Sequence, residues 1–123
     1  MFYNKLHGAI LYQIGKLENL IHLFLDVNRL TGIIPEIASK NLWEFSIPES
    51  IHNLDKLEIL LLDLTLLSGS ISNFSSKHLW EMHLNENYLT GTLPHDLFQA
   101  SGLEHIDVGS NVLSGINPQF ILL

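Results

Sequence analysis

Apolar residues recur along the chain in one order: Leu20, Leu23 and Leu25, then Asn28, then Leu30 and Gly32. The order returns as Leu79, Met82, Leu84, Asn87, Leu89, Gly91 and again as Leu103, Ile106, Val108, Asn111, Leu113, Gly115. Inside each unit the apolar positions alternate with outward ones, Leu23 and Leu25 against His22 and Phe24, which is the two-residue period of a β-strand. The pattern predicts short strands at residues 23–25, 60–62, 82–84 and 106–108. One unit alone cannot bury its apolar edge, so the units must stack with their strands parallel, as an α/β-type solenoid. The Asn side chain carries both a donor and an acceptor, and is suited to backbone groups that stacking would otherwise bury unpaired. Gly32, Gly69, Gly91 and Gly115 permit a tight turn after it. Ile34-Pro35, Leu93-Pro94 and Asn117-Pro118 then set an extended return segment.

A pitch in the low twenties with this order of Leu, Asn and Gly is a leucine-rich repeat. The run Leu30-Thr31-Gly32-Ile33-Ile34-Pro35-Glu36-Ile37, echoed by Leu89-Thr90-Gly91-Thr92-Leu93-Pro94-His95-Asp96-Leu97, resembles the plant-type repeat of receptor-like kinases, receptor-like proteins and polygalacturonase-inhibiting proteins. The resemblance covers essentially the whole chain. It implies a right-handed superhelix with one parallel concave sheet. It also implies a non-enzymatic module that recognises a protein or peptide ligand, or a co-receptor, in extracellular or plasma-membrane signalling. A secreted inhibitor of a cell-wall enzyme is the alternative within the same resemblance, and a truncated reading frame without independent function is a third reading.

Alignment of the units shows where the chain departs from that pattern. Asn4-Lys5-Leu6-His7-Gly8-Ala9-Ile10 aligns with Asn28-Arg29-Leu30-Thr31-Gly32-Ile33-Ile34, so residues 1–19 read as half a repeat of the single domain 1–123. Coils then start near 20, 42, 57, 79 and 103, at spacings of 22, 15, 22 and 24. The second spacing falls below the roughly 20–29 residues of such a coil, which predicts a kink or loop near residues 42–56. Two registers fit. If Ser46-Ile47-Pro48 aligns with Ile33-Ile34-Pro35, the inner strand and its Asn turn are missing; if Leu42, Phe45, Ile47 and Ser50 take the strand positions, the return is shortened instead.

Composition narrows the function classes. The absence of cysteine removes disulfides, thiolate metal sites and thiol nucleophiles, and departs from the cysteine-paired caps usual in secreted members of the resembled family. Met1-Phe2-Tyr3-Asn4-Lys5-Leu6-His7-Gly8 offers no signal-peptide core. The run Ile59-Leu60-Leu61-Leu62 stops at Asp63, far short of the about 18 apolar residues of a membrane span, so the location of the chain stays open. A net charge of −7 with no basic cluster opposes nucleic acid and anionic lipid. There is no kinase signature and no nucleophile elbow, and no catalytic, cofactor or metal residues are assigned.

Whatever binds meets the outward positions of the inner strands. These are His22, Phe24, Asp26 and Val27, then Ile59, Leu61, Asp63 and Leu64, a largely apolar half. Glu81, His83, Asn85 and Glu86, with His105, Asp107, Gly109 and Ser110, form a polar, acidic half. Stacking at ~4.8 Å per coil sets Glu81 beside His105 and His83 beside Asp107. Such a patch fits solvated ion pairs of small individual value, a ligand-contacting surface responsive to mildly acidic pH, or metal ligation, for which nothing defines an outer shell. His7, His52, His78 and His95 fall on turns or returns, away from it. Trp43 and Trp80 share the column after the first leucine and are candidate edge anchors, or else pack over the neighbouring coil. Asn73-Phe74-Ser75 is a glycosylation sequon.

Solenoid ends need polar lids. The first half-coil instead offers Leu6, Ile10 and Ile14, and the chain closes on Phe120, Ile121, Leu122 and Leu123 with no charge after Asp107. End-to-end self-association of the expressed chain is the expected outcome. Sedimentation across a concentration series checks it, and a soluble monomer at high concentration contradicts it.

Overall fold

Each coil spends three residues in an inner strand before a turn redirects the backbone, so the strands are short and numerous. The structure, a computed structural model, describes residues 4–30, 47, 51, 53–71, 77–95, 97 and 102–115. Among the described residues nine strands follow in order: β1 His7–Gly8, β2 His22–Phe24, β3 Arg29–Leu30, β4 Ile59–Leu61, β5 Ser68–Ser70, β6 Glu81–His83, β7 Tyr88–Gly91, β8 His105–Asp107 and β9 Val112–Leu113. A 3-10 helix, Tyr12–Lys16, lies between β1 and β2. Strands β2-β4-β6-β8 form one parallel sheet, β5-β7-β9 form a second, and β1 pairs with β3. The solenoid expected from the pattern is therefore present, with about four turns, and its inner strands each begin one residue earlier than the alternation indicates.

The register shows how the short spacing is accommodated. His22 faces Ile59, Ile59 faces Glu81, and Glu81 faces His105, so successive inner strands are offset by 37, 22 and 24 residues. The backbone hydrogen bonds from Glu58 to Ile21 and from Leu25 to Leu61 close the first of these steps directly. Among the described residues no strand stands between β2 and β4 in the inner sheet. The second sheet carries the break: among the described residues β3 pairs with β1 and does not continue to β5. Most of residues 42–56 lie outside the described residues.

The core lies between the two sheets. Leu60, Met82, Leu84, Leu62, Leu57 and Leu89 are fully buried, while Leu23 and Ile106, the strand centres of the outermost inner strands, retain 7% exposure each. That gradient follows from stacking, since an interior coil is covered on two sides.

The turn after each inner strand repeats in detail. Val27, Leu64, Glu86 and Ser110 all adopt positive φ between 51° and 53°, a conformation that side chains other than Gly rarely take and that the β-branched Val27 tolerates least. The following residue explains its persistence. Asn87 Oδ1 accepts from the Leu67 N–H (3.1 Å) and the Thr65 hydroxyl (2.6 Å), and its Nδ2 donates to the carbonyls of Leu62, Leu84 and Asn85. Asn111 likewise accepts from Leu89 and donates to Leu84, Val108 and Gly109, and Asn28 accepts from Leu6 and donates to Leu25 and Asp26. Thr65 occupies the Asn position of its coil. Its shorter side chain bonds the Leu62 carbonyl and Asn87 Oδ1, at the place where the second sheet is interrupted.

Asn87 is 5% exposed, whereas Asn111 is only half-buried. Asn87→Ala leaves the buried Leu67 N–H without its acceptor and takes a donor from the carbonyls of Leu62, Leu84 and Asn85, and is expected to cost about 3 kcal/mol, with Asn111→Ala costing less because water reaches its partners. Urea unfolding of the two variants checks the order, and equal losses contradict it.

Candidate functional site

The outward side chains of β2, β4, β6 and β8 form the concave face in three rows. His22, Ile59, Glu81 and His105 are in register, as are Phe24, Leu61, His83 and Asp107. Beyond the strands the ladder continues through Asp26, Asp63, Asn85 and Gly109, tied by Val27 N–H to Asp63, Leu64 N–H to Asn85 and Glu86 N–H to Gly109. Of the sixteen residues set on this face by the sequence pattern, twelve lie on these rows, and Val27, Leu64, Glu86 and Ser110 fall at the turn that follows.

The β2 side is apolar. The His22 ring stacks on Phe24 with centroids 5.7 Å apart and planes within 5°, and Phe24, Ile59 and Leu61 are half-buried. His22 Nε2 also approaches Glu58 Oε2 at 3.8 Å, an exposed pair of little energetic weight. Glu58 was not among the expected residues, although it shares the column that holds Trp80. Leu64 leaves the concave set: it is 46% exposed at the positive-φ turn, where it lines a shallow cleft of about 410 Å³ with Thr65, Leu66, Glu86, Asn87, Tyr88 and Ser110.

On the acidic side the contacts differ from those that register alone implies. His83 Nε2 lies 3.2 Å from Glu81 Oε1 on its own strand, and its Nδ1 lies 3.5 Å from Asp63 Oδ2 on the preceding coil. Asp107, in register with His83, turns away, and its Oδ1 accepts the Gly109 N–H at 3.0 Å. His105 meets Trp80 edge-on at 6.1 Å rather than pairing with Glu81. Trp80 is half-buried, with its ring against that of His105. Trp43 and Asn73 lie outside the described residues. Among the described residues no group of three or more His, Asp or Glu is arranged to hold a metal ion.

Asp63 is the electrostatic centre. Its carboxyl is pushed up to about 6, chiefly by burial and with the charges of Asp107 and Asp26 adding to the rise, against the lowering effects of the Asn85 N–H bond and of His83. Asp63 Oδ1 accepts that N–H at 3.0 Å. On the same row Asp26 is 8% exposed and its Oδ1 has no hydrogen-bond partner, as is also true of the buried Oδ1 of Asn85. The row therefore holds acceptors in excess of donors.

Comparison with known proteins agrees with this geometry. The family model described as Leucine Rich Repeat matches residues 19–41. No curated protein matches the chain. Among solved structures, a chain from the Arabidopsis receptor kinase HAESA in complex with the peptide hormone IDA and the co-receptor SERK1 is 29% identical with a TM-score of 0.77, over 90% of this chain and 17% of that one. The plant peptide hormone receptor RGFR1 in complex with RGF2 is 31% identical with a TM-score of 0.73, over 89% of this chain and 16% of that one. Pollen Receptor Kinase 3 is 27% identical with a TM-score of 0.76, over 98% of this chain and 52% of that one. The chain thus spans about a sixth of the first two and about half of the third.

The raised carboxyl of Asp63 has a signed consequence. Between about pH 4 and 6 the folded chain holds a proton that the unfolded chain has released, so this group's contribution to stability falls as pH rises through that window. Asp63→Asn keeps an acceptor for Asn85 and removes the ionisation. Relative to the parent it should gain about 1 kcal/mol between pH 4 and pH 7, a figure discounted for the solvent on the open side. Urea midpoints across that range check it, and a difference independent of pH contradicts it.

Proposed function

Because the chain is built of plant-type leucine-rich repeats, we propose that it is a non-enzymatic recognition module whose concave sheet takes a protein or peptide ligand, as part of a receptor ectodomain in cell-surface signalling. One observation carries the reading. The four parallel inner strands present a continuous face that is apolar over Phe24, Ile59 and Leu61 and acidic over Asp63, Glu81 and Asp107. An extended peptide crossing the coils meets both halves, which gives apolar contact area and a fixed direction. The likeness to receptors solved with peptide hormones supports the same reading.

Selection from a displayed library of unbiased peptides tests it. Binders should lose at least tenfold in affinity with Leu61→Arg, which places bulk and charge in the centre of the concave face, and keep their affinity with Thr90→Arg, at an exposed position of the second sheet. Binders insensitive to Leu61→Arg, or the absence of any binder, contradict the reading.

A further inference from the structure

We infer that the row Asp26–Asp63–Asn85, with Glu81 and Asp107 beside it, is a site for a guanidinium group, the arginine side chain of a ligand laid across the concave sheet. The inference rests on the reading of that sheet as a ligand-binding face, and names what its acidic half takes.

Two independent observations meet here. One is charge: Asp63, Glu81 and Asp107 come from three successive coils, Asp63 and Glu81 share one cation-capable group, His83, on β6, and the charges of Asp107 and Asp26 act on Asp63. The other is unmet hydrogen-bonding capacity. Asp26 is more than nine-tenths buried, yet its Oδ1 has no partner, and Asn85 Oδ1 is buried and unpartnered on the far side of Asp63. A buried acceptor without a donor costs free energy, so a carboxyl rotation that brings Asp26 Oδ1 to an incoming donor breaks no bond to that atom. His83 is already shared between Asp63 and Glu81 and does not reach Asp26.

The spacing selects the cation. Neighbouring members of the row stand one strand apart, about 4.8 Å, and a planar fork of five N–H donors meets two carboxylates at that separation with more donors, in a fixed plane, than the three of an ammonium. Acceptors without donors also reject a carboxylate or phosphate ligand by repulsion. Apolar residues beside the row, Leu61 and Phe24, supply a surface for the methylenes of the arginine stem. Protonation of Asp63 removes the central acceptor charge, so the site weakens in acid, with Asp26, Glu81, Asp107 and His83 as the other titrating groups that face it.

The test uses N-acetyl-arginine amide, followed through the backbone amides of Asn85 and Gly109, which donate to Asp63 and Asp107. At pH 7.5 it should shift Asn85 saturably, at least fivefold more weakly at pH 5, and at least tenfold more weakly in Asp63→Asn. Asp26→Asn serves as a second variant and should weaken binding at least threefold. N-acetyl-leucine amide and N-acetyl-glutamate amide should leave both signals in place. A response equal in the parent and both variants, or equal for arginine and leucine, overturns the inference. Peptide binders from the library that lack arginine and still depend on Leu61 also overturn it, while leaving the recognition role intact. Saturable arginine binding without any peptide binder leaves the cation site standing and removes the recognition role.

Discussion

Stacking coils buries the turn that follows each inner strand, together with amide and carbonyl groups that strand pairing does not serve. Asn28, Asn87 and Asn111 take up those groups, accepting from the preceding coil and donating to carbonyls of their own, and Asn87 and Asn111 donate to the preceding coil too. The residue before each Asn enters the left-handed region, Val27 included, and Leu64 before Thr65 follows the same turn. A local conformation of unfavourable energy is thus held by a long-range bond. Without the carboxamides, the apolar ladder would still collapse but nothing would fix the angle at which one coil follows another.

That fixed angle makes the concave face a patterned surface. Residues three coils apart in space keep one register, so Phe24 and Leu61 continue into His83 and Asp107, and Asp26 and Asp63 continue into Asn85. The Asn turn holds the coil–coil spacing at which Asp63 is enclosed enough to resist ionisation while its second oxygen still reaches His83. Packing, electrostatics and the recognition role meet at this row, and the apolar and acidic halves are consequences of two different coils having been set side by side.

Much of this could be read from the residues. The two-residue alternation located the four inner strands to within one residue, because burial of Leu23, Leu60, Met82 and Ile106 admits only one facing. The 15-residue spacing located the irregularity, but not its form: whether a coil loses its strand or its return depends on which side can close, and the direct β2–β4 pairing is a tertiary outcome. Thr65 in the Asn column escaped notice because it keeps the polarity of the position while lacking its reach. Register placed His83 beside Asp107 and Glu81 beside His105. The observed partners, Asp63 for His83 and Trp80 for His105, follow from side-chain rotamers that register does not contain.

The account holds that the carboxamide column, rather than strand pairing alone, sets the coils, and amide hydrogen exchange in the native chain tests this most directly. Leu67 and Leu89 donate their N–H groups to the side chains of Asn87 and Asn111, while Leu62 and Leu84 donate within the inner-sheet ladder. The account expects Leu67 and Leu89 to exchange as slowly as Leu62 and Leu84. Exchange of Leu67 and Leu89 at the rate of an open loop, with the inner-sheet amides still protected, would contradict it.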